Sequence, residues 1–312
     1  MKKIIAFILI LLSNVAIAAG KEYTLIVPGA PGSGPDFVAR TVQATYQRLT
    51  GNVLVIENIT GGDTIPAINR FKSNNRSLFL GAAAPTVINP LIRDDLPYTD
   101  ADFNWIGRTS VHPQVWYASK KSGITDMTSL KKYIQAHEIT EIAGDSIFNF
   151  VNAKGVFDAY NSSKKSLYVR YKGSPDAIMA VSSGLIPVGI TAPNPSLIAA
   201  EQSGKIKIFA TSTQQPLKVG DNLVMPVDAS GKIYTLTGWN ALAINPQWPD
   251  RKEAQELKHD LWIAIIHLDT QDKIAKQGLV SDPLSGDHML EYIKQSRKSF
   301  EKHKDIAKDI AK

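Results

Sequence analysis

The residues best suited to chemistry form one continuous stretch, Val27-Pro28-Gly29-Ala30-Pro31-Gly32-Ser33-Gly34-Pro35-Asp36-Phe37-Val38-Ala39-Arg40. Three prolines and three glycines fall between Pro28 and Asp36. Proline fixes φ and removes a donor, while glycine lets a ligand approach the backbone. The stretch joins an apolar run at 23–27 to a helical pattern opening near Pro35. The first turn of such a helix carries N–H groups with no intrahelical partner, which suits an anion. The chemistry expected here is non-covalent: Pro31, Gly32, Ser33, Gly34 and Asp36 are read as a cradle for a carboxylate.

Competing chemistries fail on their own residues. Gly29 and Gly34 have the glycine spacing of a Walker A loop, but Pro35-Asp36 stands where Lys-Ser/Thr is needed, and a carboxylate there repels phosphate. Gly32-x-Gly34 lacks the third glycine of a dinucleotide fingerprint, because Phe37 takes its place. Ser33 is not a hydrolase elbow, since Pro31 rather than glycine lies two residues before it. Ser129-x-x-Lys132 and Ser162-x-x-Lys165 are too short a pattern to carry weight without companion motifs. The six histidines are scattered and none has metalloprotease spacing. No catalytic residue, metal or cofactor is therefore expected.

The elements that must position the cradle alternate in type. Apolar runs at 53–57 and 78–80 read as strands, and 38–49 and 65–71 as helices, with Val38, Val42, Tyr46 and Leu49 on one face and Gly51 as a stop. This βαβαβ order argues for a parallel sheet, whose ligands bind outside the carboxyl ends of its strands. Three loops fall at that edge: 28–36, 58–64 and 81–86, the last bringing Ala83, Ala84 and Thr86. Strands at 105–106 and 115–118 follow, the second leaving this first unit.

A second alternation begins with a helix at 128–136, Thr128 being a candidate N-cap. Strands at 140–143, 167–171, 188–191 and 206–211 alternate with helices at 148–160, 176–182 and 196–203. Residues 214–232 read as loop, and 234–244 as a strand returning to the first unit. The rest is helical and charged, interrupted by a strand near 278–280. The fold class expected is α/β: two lobes, each a mostly parallel sheet flanked by helices, joined by two crossing strands. The lobes are assigned 20–118 plus 236–312, and 119–235. Such a pair reads as a hinged clamp. In the second lobe, Gly144-Asp145-Ser146 with Asn149 is a further strand-to-helix loop, for which ligand contact and helix capping by Asp145 or Ser146 are equal readings. Tyr171-Lys172-Gly173-Ser174 carries the same two readings, with Ser174 as cap.

At 312 residues, 44% hydrophobic and 21% charged, the chain is an ordinary globular protein with room for two cores. Its first residues differ. Lys2 and Lys3, an apolar run at 4–12 and Ala16-Ile17-Ala18 make a secretory leader at 1–19. The run is well short of the ~20 residues a membrane span requires. With no cysteine, the chain is expected to be neither a lipoprotein nor disulfide-bonded, which suits a periplasm. Taking Lys2 and Lys3 from the 35 basic residues leaves 33 against 29 acidic ones, so the charge falls from +6 to +4. The basic tail at 294–312 is interleaved with acids and reads as a solvated helix face, not a nucleic-acid patch.

These residues resemble the periplasmic solute-binding receptors of tripartite tricarboxylate transporters, the Bug receptors. Val27-Pro28-x-x-Pro31-Gly32-x-Gly34-x-Asp36-x-Val38-Ala39-Arg40 is similar to that family's V-P-[FY]-P-P-G-G-G-T-D-I-V-A-R signature. Glu57-Asn58 with Gly61-Gly62, Ile88-Asn89-Pro90 before Leu96-Pro97-Tyr98, Tyr171-Lys172-Gly173-Ser174, and Gly204-Lys205-Ile206 with Ala210-Thr211-Ser212 resemble further family stretches. The resemblance spans most of the mature chain. It implies a type II-like two-lobe receptor, not an enzyme, that closes on a small carboxylate and delivers it to the membrane permease subunits of a tripartite transporter. A monomer is expected. Ser146 and Asn149 would approach from the second lobe, and Thr191 stands near the family's F-D-N, without its aspartate.

Departures from the family pattern bear on the ligand. Gly29 and Ala30 replace an aromatic residue and a proline, and Asp145 enters a loop that is Ser/Gly-rich in the family. A carboxylate there repels a second carboxylate and favours a cationic group. The ligand expected is thus a small organic acid or an amino acid. Two other readings stay open: a secreted hydrolase using the same cleft, and a solute-sensing partner of a membrane kinase.

Overall fold

The computed structural model describes residues 20–160, 165–233 and 235–311. The stretch 1–19 expected to be a leader, Ser162 and Tyr234 lie outside the described residues. Strand β1 (Glu22–Val27) is fully buried at Leu25, Ile26 and Val27 and leads through the Gly/Pro loop into helix α1 (Gly34–Thr50). Pro35 sits in the first turn, where a missing N–H costs nothing. Gly51 ends the helix at φ 71°, a left-handed cap that glycine adopts without strain. Val38, Val42 and Tyr46 are buried as the spacing requires, whereas Leu49 is exposed.

Strand β2 (Val53–Asn58), helix α2 (Ile65–Ser73) and strand β3 (Ser77–Ala82) complete the βαβαβ unit. Both β2 and β3 pair with β1 in parallel, Val27 opposite Asn58 and Ile26 opposite Phe79. Past β3 the chain winds through a one-turn π-helix (Ala84–Ile88) into a short helix α3 (Asn89–Ile92), a feature the sequence reading took as loop. Strand β4 (Asn104–Pro113) is far longer than the two residues expected, and after Gln114 it continues as β5 (Val115–Ser119).

Helix α4 (Met127–Ala136) is capped by Asp126, whose carboxylate accepts the Ser129 amide at 2.7 Å, and not by Thr128. There follow β6 (Ile139–Gly144), α5 (Ile147–Ala159), β7 (Lys165–Arg170), α6 (Ser174–Ser183), β8 (Val188–Thr191), α7 (Pro195–Gln202) and β9 (Ile206–Thr211). The stretch expected to be loop folds into two small hairpins, β10 (Leu217–Val219) with β11 (Asn222–Val224), and β12 (Asp228–Ala229) with β13 (Lys232–Ile233). Strand β14 (Thr237–Ile244) returns to the first sheet, followed by helices α8 (Arg251–Ile266) and α9 (Leu268–Lys276). Residue Val280 makes only an isolated bridge to Val111, and the edge strand is instead β15 (Leu284–Ser285). Helices α10 (Gly286–Phe300) and α11 (Lys304–Ala311) close the chain.

Two separate sheets result. One has the order β15-β4-β14-β3-β1-β2, the other β7-β6-β8-β5-β9. In each the central strands run parallel, and the antiparallel members are the crossing strands β14 and β5 together with edge strand β15. The two crossings are clasped at one point. Ser212 donates its amide to the Gln114 carbonyl at 2.8 Å, and its hydroxyl accepts the Gln114 amide at 2.7 Å while donating to the Leu236 carbonyl. One core cluster stacks Phe71, Phe79, Phe103 and Trp105 beside Trp239. It also takes in Ile147, Phe148 and Val151 from α5, so the two halves share packed surface.

Candidate functional site

Between the sheets lies a cavity of about 440 Å³, walled by the loops at the carboxyl ends of β1, β2, β3, β6, β7 and β8 and by the crossing strands. Of the twelve residues expected at the site, Ser33, Gly34, Ala83, Ala84, Asp145, Ser146, Asn149 and Thr191 line this wall. Pro31, Gly32, Asp36 and Thr86 do not, and each has a structural reason.

Asp36 is a buried buttress. Its Oδ2 accepts the Gly32 amide and Arg40 Nε, both at 2.9 Å, and its Oδ1 accepts Asn58 Nδ2 at 3.1 Å. Asn58 Nδ2 also donates to the Gly29 carbonyl at 2.8 Å. One carboxylate thus ties the start of α1 to both the cradle and the end of β2. Gly32 has spent its amide on Asp36, and at φ 79° it needs glycine. Pro31 sits at the exposed outer tip of the loop. Thr86 donates to the Ala82 carbonyl at 2.7 Å, while its own carbonyl accepts two bonds from Arg297. Asp36→Ala is expected to lower stability by about 2–3 kcal/mol, because a charge-assisted acceptor for three donors disappears; urea denaturation measures it. A loss below about 0.5 kcal/mol would refute the buttress.

The cradle itself differs from the expectation in detail. The Ser33 amide donates to the Ala30 carbonyl at 3.0 Å, so with Gly32 also engaged, Gly34 offers the first-turn amide of α1. The Ser33 hydroxyl is buried and makes no cap bond. Across the cavity, α6 opens at Ser174, whose hydroxyl is likewise buried without a partner; Gly173 rather than Ser174 holds the cap position. On the crossing strand, the Trp239 indole N–H and the Asn240 side-chain oxygen Oδ1 also lack partners among the described residues. Hydroxyls turn about Cβ–Oγ, so unpartnered donors from both lobes stand in the wall, closed off from solvent as placed.

The capping alternative holds at Ser146, which is the N-cap of α5, with Asn149 completing a capping box. Asn149 accepts the amides of Asp145 and Ser146 and the Ser146 hydroxyl on its Oδ1 at 3.0–3.1 Å, and its Nδ2 donates to Gln114 Oε1 at 2.5 Å. It therefore fixes the α5 entrance to the hinge. Asp145 has no such role. Burial pushes its carboxyl up to about 6, against the opposing influence of backbone N–H groups, among them that of Ser174, and the positive charge of Arg170. No ion pair neutralises it among the described residues. Arg170 itself reaches across to Asp63 at 2.5 Å, and among the described residues Lys172 on the cavity rim has no ion pair.

Wall residues that sequence reasoning passes over include His112, Gln114, Trp239 and Asn240. All lie on the crossing segments, where the sequence shows only apolar strand patterning. His112 bonds Ser110 Oγ through Nε2 at 2.8 Å, and burial drives its imidazole down to about 3, so it is neutral. Among the described residues no group of three or more His, Cys, Asp or Glu is placed to hold a metal ion, and no helix is long and apolar enough to cross a membrane.

No family model and no curated protein sequence matches the chain. Solved structures do. MatC from Rhodopseudomonas palustris, with bound malate, is 16% identical with a TM-score of 0.76, over 91% of this chain and 99% of its own. Rpa4515 from R. palustris, with adipate, is 18% identical with a TM-score of 0.82, over 92% and 97%. The periplasmic binding protein BugD is 16% identical with a TM-score of 0.80, over the same shares. The likeness is one of fold: this chain has the two-lobe architecture of periplasmic binding proteins, and its resemblance to the Bug receptors extends through nearly the whole structure.

Proposed function

We propose that the chain is an exported receptor that captures a small carboxylate-bearing metabolite in the interlobe cavity and hands it to a membrane transporter. The observation that carries this reading is the pair of helix amino ends, α1 and α6, that face one cavity from opposite lobes with unpartnered serine hydroxyls beside them. The proteins of like fold with malate and adipate support it. On this reading the leader at 1–19 directs a monomer to the periplasm, and the lobes are 20–118 with 236–312, and 119–235. They turn about the Gln114–Ser212–Leu236 clasp.

The hydrolase alternative needs a nucleophile beside a base. The Ser110–His112 contact is of that kind, but Ser110 is fully buried on β4 and does not line the cavity. The sensor alternative shares the cleft and differs only in the partner of the loaded form.

Asp145 narrows the ligand. The amino end of α6 already has a carboxylate of the protein's own, since the Ser174 N–H points to Asp145. A ligand's second carboxylate would meet like charge there, and an ammonium would meet an unneutralised partner. Calorimetry at neutral pH is expected to show aspartate bound at least about tenfold more tightly than succinate, its equal without the ammonium, with Asp145→Asn erasing the difference. Tight citrate binding unaffected by Asp145→Ala would refute the cationic preference. Failure of every small acid and amino acid to bind would refute the receptor reading itself.

A further inference from the structure

A second cavity, of about 470 Å³, lies behind the first, under the C-terminal helix α11. Asp63, Asn89, Ile147 and Arg170 belong to both, so the Arg170–Asp63 ion pair stands as the partition between them. The far wall is its own. Arg93 enters from beside α3 and Lys308 from α11, with Ile92, Phe150 and Ile310 as apolar lining. Three cations, Arg93, Arg170 and Lys308, line this cavity with one lining carboxylate, Asp63, and a second, Asp95, pairs with Arg93 from outside the lining. Asp63 serves both arginines, at 2.5 Å to Arg170 and 3.8 Å to Arg93, while Lys308 has no ion pair among the described residues. Arg93 also holds Asp95 by two bonds of 3.0 Å.

The partition is held under strain. Gly61, Gly62, Asp63 and Thr64 all have positive φ, and at Asp63 (53°) and Thr64 (69°) a side chain pays for the conformation. A β-branched threonine in this region persists only where its surroundings impose it. Arg170 from the opposite lobe holds the Asp63 carboxylate, while Asn89 Nδ2 donates to the Asp63 carbonyl at 3.2 Å.

We propose that the second cavity is an anion site for a small carboxylate with an apolar body, and that its occupant takes Arg170 from Asp63 and loosens the partition. Excess positive charge beside apolar side chains attracts such an acid, with its carboxylate toward Arg93, Arg170 and Lys308 and its body on Ile92, Phe150 and Ile310. Once Asp63 loses its partner, the strained turn at 61–64 relaxes. Binding in the second cavity then opposes closure of the first, and by reciprocity a closed clamp weakens the second site. The proposal does not depend on what the main cavity holds.

Benzoate is the probe. Calorimetry on the mature chain is expected to show saturable benzoate binding that weakens about tenfold or more in Lys308→Glu, an exposed position, and is unchanged in Ser33→Ala, which lines only the first cavity. Hydrogen exchange of the 61–64 amides is expected to speed up when benzoate is added. Absence of saturable binding, loss in Ser33→Ala but not in Lys308→Glu, or exchange at 61–64 that slows or stays constant would each overturn the proposal.

Discussion

Leucine at position 173 is expected to weaken solute binding by about a hundredfold while leaving the melting temperature within a few degrees of the wild type. Gly173 is a point of close approach between the lobes: a Cβ built on it would lie 2.8 Å from the Ala30 Cβ. Its φ is −165°, extended backbone open to any residue, so the substitution carries no local conformational cost. What it does is wedge the lobes. Two other contacts depend on the same approach, the Ser196 hydroxyl on the Gly32 carbonyl at 3.2 Å and Arg170 on Asp63. If closure is what removes the solute from water, holding the closed form to about one part in a hundred reduces affinity by the same factor. Calorimetry with the solute identified by mass spectrometry of the natively purified protein measures the affinity, and small-angle scattering measures the opening. Unchanged affinity would mean that the lobes do not need to meet at Ala30.

The first lobe was legible because its signals are local. Pro35 and Gly51 bracket α1, and the apolar runs before the 28–36 and 58–64 loops pair as parallel strands, although the second, expected to be buried, lies at the sheet edge with Val53 and Val55 exposed. The site was legible in outline for the same reason, since a parallel sheet puts its loops on one edge. What the sequence hides is which donors are already spent. Asp36 looks like a ligand contact, yet it accepts from Gly32, Arg40 and Asn58, and Asn58 is 22 residues away. The amide of Ser33 is lost to Ala30 through a turn that no pattern announces. The crossing segment escaped for another reason. His112, Gln114, Trp239 and Asn240 acquire their place only because β4 and β14 pair and run on into the hinge, a non-local event without local periodicity. Thr86 failed through backbone geometry: the π-turn at 84–88 rotates it from the cavity toward the Ala82 carbonyl.

Asp145→Asn is expected to raise stability at pH 7.5 by on the order of 2–3 kcal/mol and to leave it nearly unchanged at pH 4. The folded Asp145 carboxyl titrates near 6 against an ordinary 3.8, so the folded state holds its proton more tightly. Its contribution is favourable below pH 3.8 and is lost as pH rises through 6, which makes the ionised group a cost at neutral pH. His112 works in the opposite sense. With its folded pKa near 3 against 6.5, the unfolded chain binds the extra proton, so stability present above pH 6.5 drains away as pH falls toward 3. Each slope is about 1.4 kcal/mol per pH unit, and between pH 6 and 4 the two cancel. The wild type should therefore be nearly flat in that window with respect to these groups. Asp145→Asn exposes the His112 slope, and His112→Gln exposes the reverse one, a protein that gains stability on acidification. Urea denaturation across pH 4–7.5 reads all three curves. An Asp145→Asn variant less stable than wild type at pH 7.5 would show that the carboxylate is neutralised within the protein, and with it would go the reason for expecting a cationic group on the solute. If the gain is found, the charge is a stability cost to the folded chain that a ligand's ammonium would relieve, the pattern of a binding residue and not of a structural one.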